Sequence, residues 1–129
     1  MDAQRSGERA FERAPAERFT GQVWLKYGPG PADGSTTVVI VNFLPGARTN
    51  WHRHHDGQYL YVIEGRGRVR SRDQAGVAAG PGDILWVPPG EWHFHGAAPD
   101  APFVHFAFNG GGPPEWGAPV TDAEYDEGF

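Results

Sequence analysis

The sequence predicts an all-β fold, a single domain of many short strands. Three observations predict it. A chain of 129 residues suffices for one hydrophobic core and is too short for two. Runs of β-branched and aromatic residues recur along its whole length. Nineteen glycines and twelve prolines fall between those runs instead of forming tracts, so they read as turns.

The elements follow in order. Residues 1–17 mix Arg, Glu and Ala with few apolar anchors and read as an N-terminal arm, mobile or packed on a partner subunit through Phe11. The domain proper spans 18–129. Its first strand lies between Thr20 and Tyr27, with Val23, Leu25 and Tyr27 on one face, and 28–35 is a loop. The run Thr36 to Leu44 carries the strongest strand signal, and alternation puts Val39, Val41 and Phe43 on one face. Pro45-Gly46 ends it. Further strands are expected over Thr49 to His54, Gln58 to Glu64, and Arg68 to Arg72. Gly65-Arg66-Gly67 reads as a hairpin turn, and Asp73 to Gly76 closes a second hairpin. Tight turns at Gly80–Asp83 and Pro88–Gly90 bracket Ile84 to Val87. The strand Glu91 to Gly96 and the last long strand, Phe103 to Asn109, are separated by a turn over Pro99–Pro102. Gly110 to Pro114 breaks the sheet, and Thr121 with Glu124 forms a capping box for one helical turn.

A formal charge of −5 argues against a nucleic-acid surface. Arg66, Arg68, Arg70 and Arg72 fall on alternate positions and read as a solvated strand edge. With no cysteine, disulfides, thiolate catalysis and cysteine-bound zinc are excluded. No apolar N-terminal segment marks secretion or membrane insertion, so a cytoplasmic protein is expected.

All six histidines lie between positions 52 and 105. Five residues separate Gly46 from His52, one separates His52 from His54, three precede Gln58, and six more lead to Gly65. A second spacing runs from Gly82 over five residues to Pro88, then Gly90 and, after two intervening residues, His93. Histidines two apart on a strand share a face, so His52 and His54 can address one ion. Gln58 opens the next strand and can turn its carboxamide oxygen to the same side. His93 arrives at a height fixed by its bracketing turns. Three imidazoles and one amide oxygen suit a divalent first-row ion: manganese, iron, nickel, copper or zinc. His95 shares the His93 face and so points into the same space, whereas His55 faces away. Tyr59 and Tyr61 alternate away from Gln58, and an outward aromatic pair is what a subunit interface presents.

These two stretches resemble the paired motifs of the cupin superfamily, which implies a small double-stranded β-helix, or jelly-roll, barrel. Two positions depart from that pattern. Gln58 stands where a glutamate is usual, and Ala97 where an asparagine often closes the second motif. A neutral amide leaves the ion's charge uncompensated and makes it a stronger Lewis acid. Phe19-Thr20-Gly21, Pro45-Gly46-Ala47-Arg48-Thr49, Gly57-Gln58, Pro81-Gly82-Asp83, Pro89-Gly90-Glu91, His95 to Pro99 and Val120-Thr121-Asp122 are similar to small bacterial cupins of the manganese-dependent hydroxynitrile lyase type. That resemblance implies one manganese ion per chain on His52, His54, Gln58 and His93, with His105 as the acid–base group. It further implies a substrate pocket on Val39 and Val41, whose face Phe43 shares, with His95 nearby and Asn109 where the lyases carry a glutamine. The residue-level alternative for His105 is a core histidine with a satisfied hydrogen bond. Three functions therefore compete: a lyase cleaving cyanohydrins, a metal-dependent dioxygenase, and a non-catalytic cupin that binds a small molecule. The partners expected are a small-molecule substrate and further copies of the chain, as a homodimer or homotetramer, with no nucleic acid and no membrane.

Overall fold

The computed structural model describes residues 1–129. It contains thirteen strands: β1 (Glu12–Arg13), β2 (Phe19–Thr20), β3 (Val23–Tyr27), β4 (Thr36–Phe43), β5 (Arg48–Thr49), β6 (His52–Arg53), β7 (Gln58–Gly65), β8 (Gly67–Ser71), β9 (Val77–Ala79), β10 (Ile84–Val87), β11 (His93–Ala97), β12 (Phe103–Gly110) and β13 (Glu115–Trp116). One short helix, α1 (Asp122–Asp126), follows. One sheet has the order β1-β3-β4-β12-β7-β10. In the other, β11 is central, with β8 and then β9 on one side and β5 and β6 in succession on the other. Every pairing is antiparallel. The two sheets face each other as the halves of a jelly-roll barrel, as the sequence predicts.

Alternation decides what each sheet buries. On β4, Val39, Val41 and Phe43 point inward at 6%, 4% and 0% exposure. On β7, Leu60 and Val62 are fully buried while Tyr59, Tyr61 and Ile63 are exposed. On β12, Phe103, His105 and Ala107 face the interior. Sequence alternation alone could not choose that face, because both sides of β12 are apolar. Burying side chains such as Phe43, Phe103, Leu60 and Val62 contributes roughly 1.5–3 kcal/mol each. A second, smaller cluster of Trp51, Phe94, Val120 and Tyr125 seats the C-terminal segment on the outer side of the second sheet. Tyr125 donates its hydroxyl to the Ala97 carbonyl, and the predicted capping box of Thr121 and Glu124 is present.

Four expectations change. Gly65-Arg66-Gly67 is not a hairpin turn, since β7 and β8 belong to different sheets; the chain crosses the barrel corner there. Gly65 has φ 83°, and a Cβ at that position would collide with the Pro102 carbonyl, so glycine is required. The arginine series is a solvated edge only at Arg66 and Arg72, which are exposed. Arg70 is 7% exposed, reaches the Glu124 carbonyl at 2.6 Å and pairs with Glu127 at 3.1 Å. Arg68 pairs with Asp126 at 2.9 Å and lies over the Tyr125 ring at 4.5 Å. The C-terminal acidic residues supply partners that strand alternation could not reveal. The stretch Thr49 to His54 is two short strands interrupted at Asn50-Trp51, with His54 just beyond the second. Finally, the N-terminal arm lies on its own chain. Strand β1 pairs with β3, Ala14 donates its N–H to the Val23 carbonyl at 2.9 Å, and Phe11 sits under Lys26 at 5.5 Å. The open edge of β3 offers unpaired backbone groups, and the arm satisfies them.

Candidate metal centre

At one end of the barrel the sheets part around a cavity of about 380 Å³. Its walls combine apolar side chains from the first sheet, Leu25, Val39, Val41 and Ala107, with polar ones, among them Thr37, Thr49, His52, His54, Gln58, His95 and Asn109. Strand β6 brings in His52, and His93 stands directly opposite it on β11. Gly57, at φ 82°, turns the chain after His54 so that Gln58 opens β7 facing back toward the histidines.

His52, His93 and His95 present ring nitrogens that all lie within 4.8 Å of one another. The His52 ring is centred 4.3 Å from His93 and 5.2 Å from His54. His54 completes the arc 5.8 Å from His93. All are buried, at 4% exposure or less. His52 Nδ1 lies 3.0 Å from the Asn50 carbonyl, and His93 Nδ1 lies 2.9 Å from the Glu91 carbonyl. Each carbonyl can only accept, so each Nδ1 carries the proton and each Nε2 keeps its lone pair. Backbone carbonyls fix metal-binding imidazoles in the same way.

The donor set fits a divalent cation on two further observations. His93 Nε2 lies 2.9 Å from Gln58 Oε1. With the His93 proton on Nδ1, two lone pairs face each other there, and a shared cation reconciles them. Adjacent ligands on an octahedral ion with bonds of about 2.1 Å stand about 3 Å apart. Secondly, both ring nitrogens of His54 are buried without any hydrogen-bond partner, a costly state unless they serve a ligand. A three-histidine group that can hold a metal is therefore present.

Gln58 is itself held. Its Nε2 donates to Asn109 Oδ1 at 2.7 Å, and Asn109 Nδ2 donates to Thr37 Oγ1 at 3.3 Å. This chain keeps the amide oxygen of Gln58 turned toward His93. Asn109→Ala should weaken divalent-metal affinity about 10–100-fold, as losses of outer partners do; calorimetric titration checks it, and an unchanged affinity contradicts it.

Of the residues expected to meet substrate, Val39, Val41, His95 and Asn109 line the cavity, and Phe43 and His105 do not. Phe43 lies in the core beneath, its ring 5.8 Å from His95 and 5.5 Å from His105. His105 is fully buried, and its Nε2 lies 2.9 Å from His95 Nδ1. The two form a pair in which His95 meets the cavity and His105 stands behind it. His55 is exposed. Sequence reasoning missed Thr37, Arg18 and Trp116. Thr37 could have been found, since it precedes Val39 by two residues on the same strand face. Trp116 follows the glycine-proline break and carried no signal.

Burial pushes these histidines toward the neutral form. Desolvation lowers His54 and His93 to about 4 and His105 to about 3. It drives His52 and His95 well below the ordinary 6.5, with help from neighbouring histidines. The sign follows directly. Below pH about 6.5 the unfolded chain takes up protons that the folded chain refuses until near pH 4 or lower. Stability of the metal-free protein is thus full above that range and falls as pH drops, by up to about 1.4 kcal/mol per pH unit for each histidine. Thermal melts from about pH 7.5 down to about pH 4.5 should show a steep loss of Tm, and a flat profile contradicts this.

Comparison with known proteins agrees with the geometry. A cupin domain model matches residues 39–108. An (R)-mandelonitrile lyase from Granulicella tundricola is 39% identical over 97% of this chain and 98% of that protein. A gentisate 1,2-dioxygenase from Ralstonia is 28% identical, but the match covers 74% of this chain and only 29% of that enzyme. Among solved structures, a cupin-like protein from Thermotoga maritima superposes with a TM-score of 0.84 at 40% identity, covering 88% of this chain and 89% of that one. The polyketide cyclase RemF of Streptomyces resistomycificus shares the fold at a TM-score of 0.76 and 18% identity, covering 98% and 91% of the two chains. With jelly-roll topology, a buried histidine cluster and a family match across more than half of its length, this chain belongs to the cupin family.

Proposed function

We propose that the protein is a metal-dependent carbon–carbon lyase of the hydroxynitrile lyase type, cleaving cyanohydrins reversibly to an aldehyde or ketone and hydrogen cyanide. The observation that carries this reading is the hydrogen bond from His95 to His105, with His95 bordering both the His52–His93 cluster and a largely apolar cavity. The likeness to a mandelonitrile lyase over nearly the whole chain supports it. His52, His54, Gln58 and His93 would hold one divalent ion, manganese first. Bound there, such an ion supplies Lewis-acid polarisation of a substrate hydroxyl, undiminished by any ligand carboxylate.

The chain's own residues handle the proton. When His95 Nδ1–H donates to His105 Nε2, His95 Nε2 has a lone pair. That nitrogen takes the hydroxyl proton, the carbon–cyanide bond breaks with its electron pair leaving on cyanide, and the imidazole returns the proton to give hydrogen cyanide. His105 lets the pair exchange tautomers without exposing a charge to water. Val39, Val41 and Ala107 supply apolar walls that keep water from the leaving cyanide. Manganese-loaded protein should release benzaldehyde and cyanide from mandelonitrile, and metal-stripped protein should not. Failure to cleave any of a panel of aromatic and aliphatic cyanohydrins would overturn the lyase reading.

A second reading, an oxygen-dependent dioxygenase, rests on the partial likeness to gentisate 1,2-dioxygenase and on a ligand set that leaves coordination positions open. Oxygen consumption with iron but not zinc would select it.

We also propose that two copies pair through the outer face of β12, β7 and β10. There Tyr59, Tyr61, Ile63, Ile84, Trp86 and Phe108 are 43–70% exposed on one surface, an apolar patch of the kind that marks an interface. Light scattering should find a dimer that Tyr61→Asp with Trp86→Asp converts to monomer. A monomeric parent chain contradicts this.

A further inference from the structure

We propose that the cavity takes an anionic ligand, a small carboxylate with an apolar body, and that Arg18 is the residue that binds its charge. The proposal deepens the lyase reading by naming a substrate class, and rests on that reading only for the ion's share of the charge.

Arg18 lines the cavity and is half-buried. Its guanidinium lies 5.2 Å above the ring of Trp116, and Trp116 stacks on His52 with ring centres 4.9 Å apart and planes 30° from parallel. Arg18 is thus fixed one aromatic ring away from the metal-binding cluster. Elsewhere the chain matches its buried and half-buried arginines with carboxylates: Arg48, Arg53, Arg68 and Arg70 each have one within 3.1 Å. Arg18 has none, although acidic residues outnumber basic ones, 16 to 11. Not one of the twenty residues lining the cavity is Asp or Glu.

The charge balance follows. The donor set is neutral, three imidazoles and an amide, so a bound divalent ion keeps both its charges, and Arg18 adds a third. No negative group faces them inside walls that are mainly apolar. A cleft of one sign with low-dielectric walls concentrates ligands of the other sign. Guanidinium matches carboxylate through paired hydrogen bonds, and Trp116 restrains the guanidinium plane that would make them. The apolar body of the ligand would lie against Leu25, Val39 and Val41, leaving its reacting oxygen toward the histidines.

The test uses the full chain and two probes of the same shape, 4-formylbenzoate and 4-formylbenzamide, titrated calorimetrically into metal-free and manganese-loaded protein. The parent chain should bind the carboxylate about tenfold or more tighter than the amide, the size expected of a hydrogen bond to a charged group. Arg18→Leu should erase that ratio, and Arg18→Lys should retain part of it, with melting curves confirming that both variants fold. Equal binding of the two probes by the parent chain would overturn the proposal, and so would a ratio that survives in Arg18→Leu. The metal-free arm isolates Arg18. A preserved ratio without cyanohydrin turnover therefore counts against the lyase reading alone.

Discussion

Replacing His54 with alanine should lower divalent-metal affinity by about 10²–10³-fold, the share of one ligand in a four-ligand site. The metal-free fold should stay within about 1 kcal/mol of the parent. The two halves of this result come from one observation. Both His54 nitrogens are buried without a protein partner, so removal breaks no hydrogen bond and relieves two unsatisfied polar atoms, which offsets the packing lost. Calorimetric titration and thermal melting measure the halves separately. His95→Gln is the contrast. His95 lies within 4.8 Å of His52 and His93, so proximity alone would make it the third imidazole. If it is not a ligand, its replacement leaves metal affinity nearly unchanged and impairs turnover. The opposite pattern, affinity lost in His95→Gln and kept in His54→Ala, would reassign the ion to His52, His93 and His95.

His105→Phe should reduce cyanohydrin turnover by up to about 10²–10⁴-fold at full metal content, the usual contribution of an acid–base group, here His95, whose tautomer His105 holds. Phenylalanine fills the space, and Phe43 and Phe103 already border it at 5.5 and 5.3 Å, so the core keeps its packing. What the variant loses is the 2.9 Å link to His95 Nδ1. His95 would then face the cavity with no second base behind it, and the pH dependence of turnover should shift as well as its size. A fall in turnover with an unchanged pH profile would point to a packing role instead.

Much of this was legible in the sequence. The strands could be read because each buries alternate residues against one core, and Val39, Val41 and Phe43 followed directly from that period. That His52, His54, Gln58 and His93 come close together could be read because turns at fixed distances set their heights. What could not be read depends on contacts between distant parts of the chain. Local pattern does not say that β7 and β8 lie in different sheets, nor that Glu127 will meet Arg70. The placing of His105 behind His95 follows from the meeting of β11 and β12 across the barrel, which no spacing encodes. Arg18 and Trp116 come from opposite ends of the chain and meet only at the cavity rim.

Manganese titrated into the metal-stripped protein, followed by calorimetry, tests the central claim most directly. The candidate metal centre predicts one ion per chain, and loss of binding in a His52→Ala/His93→Ala variant that still melts cooperatively. A parent chain that takes up no divalent ion, or a double variant that binds one as tightly as the parent, would contradict it.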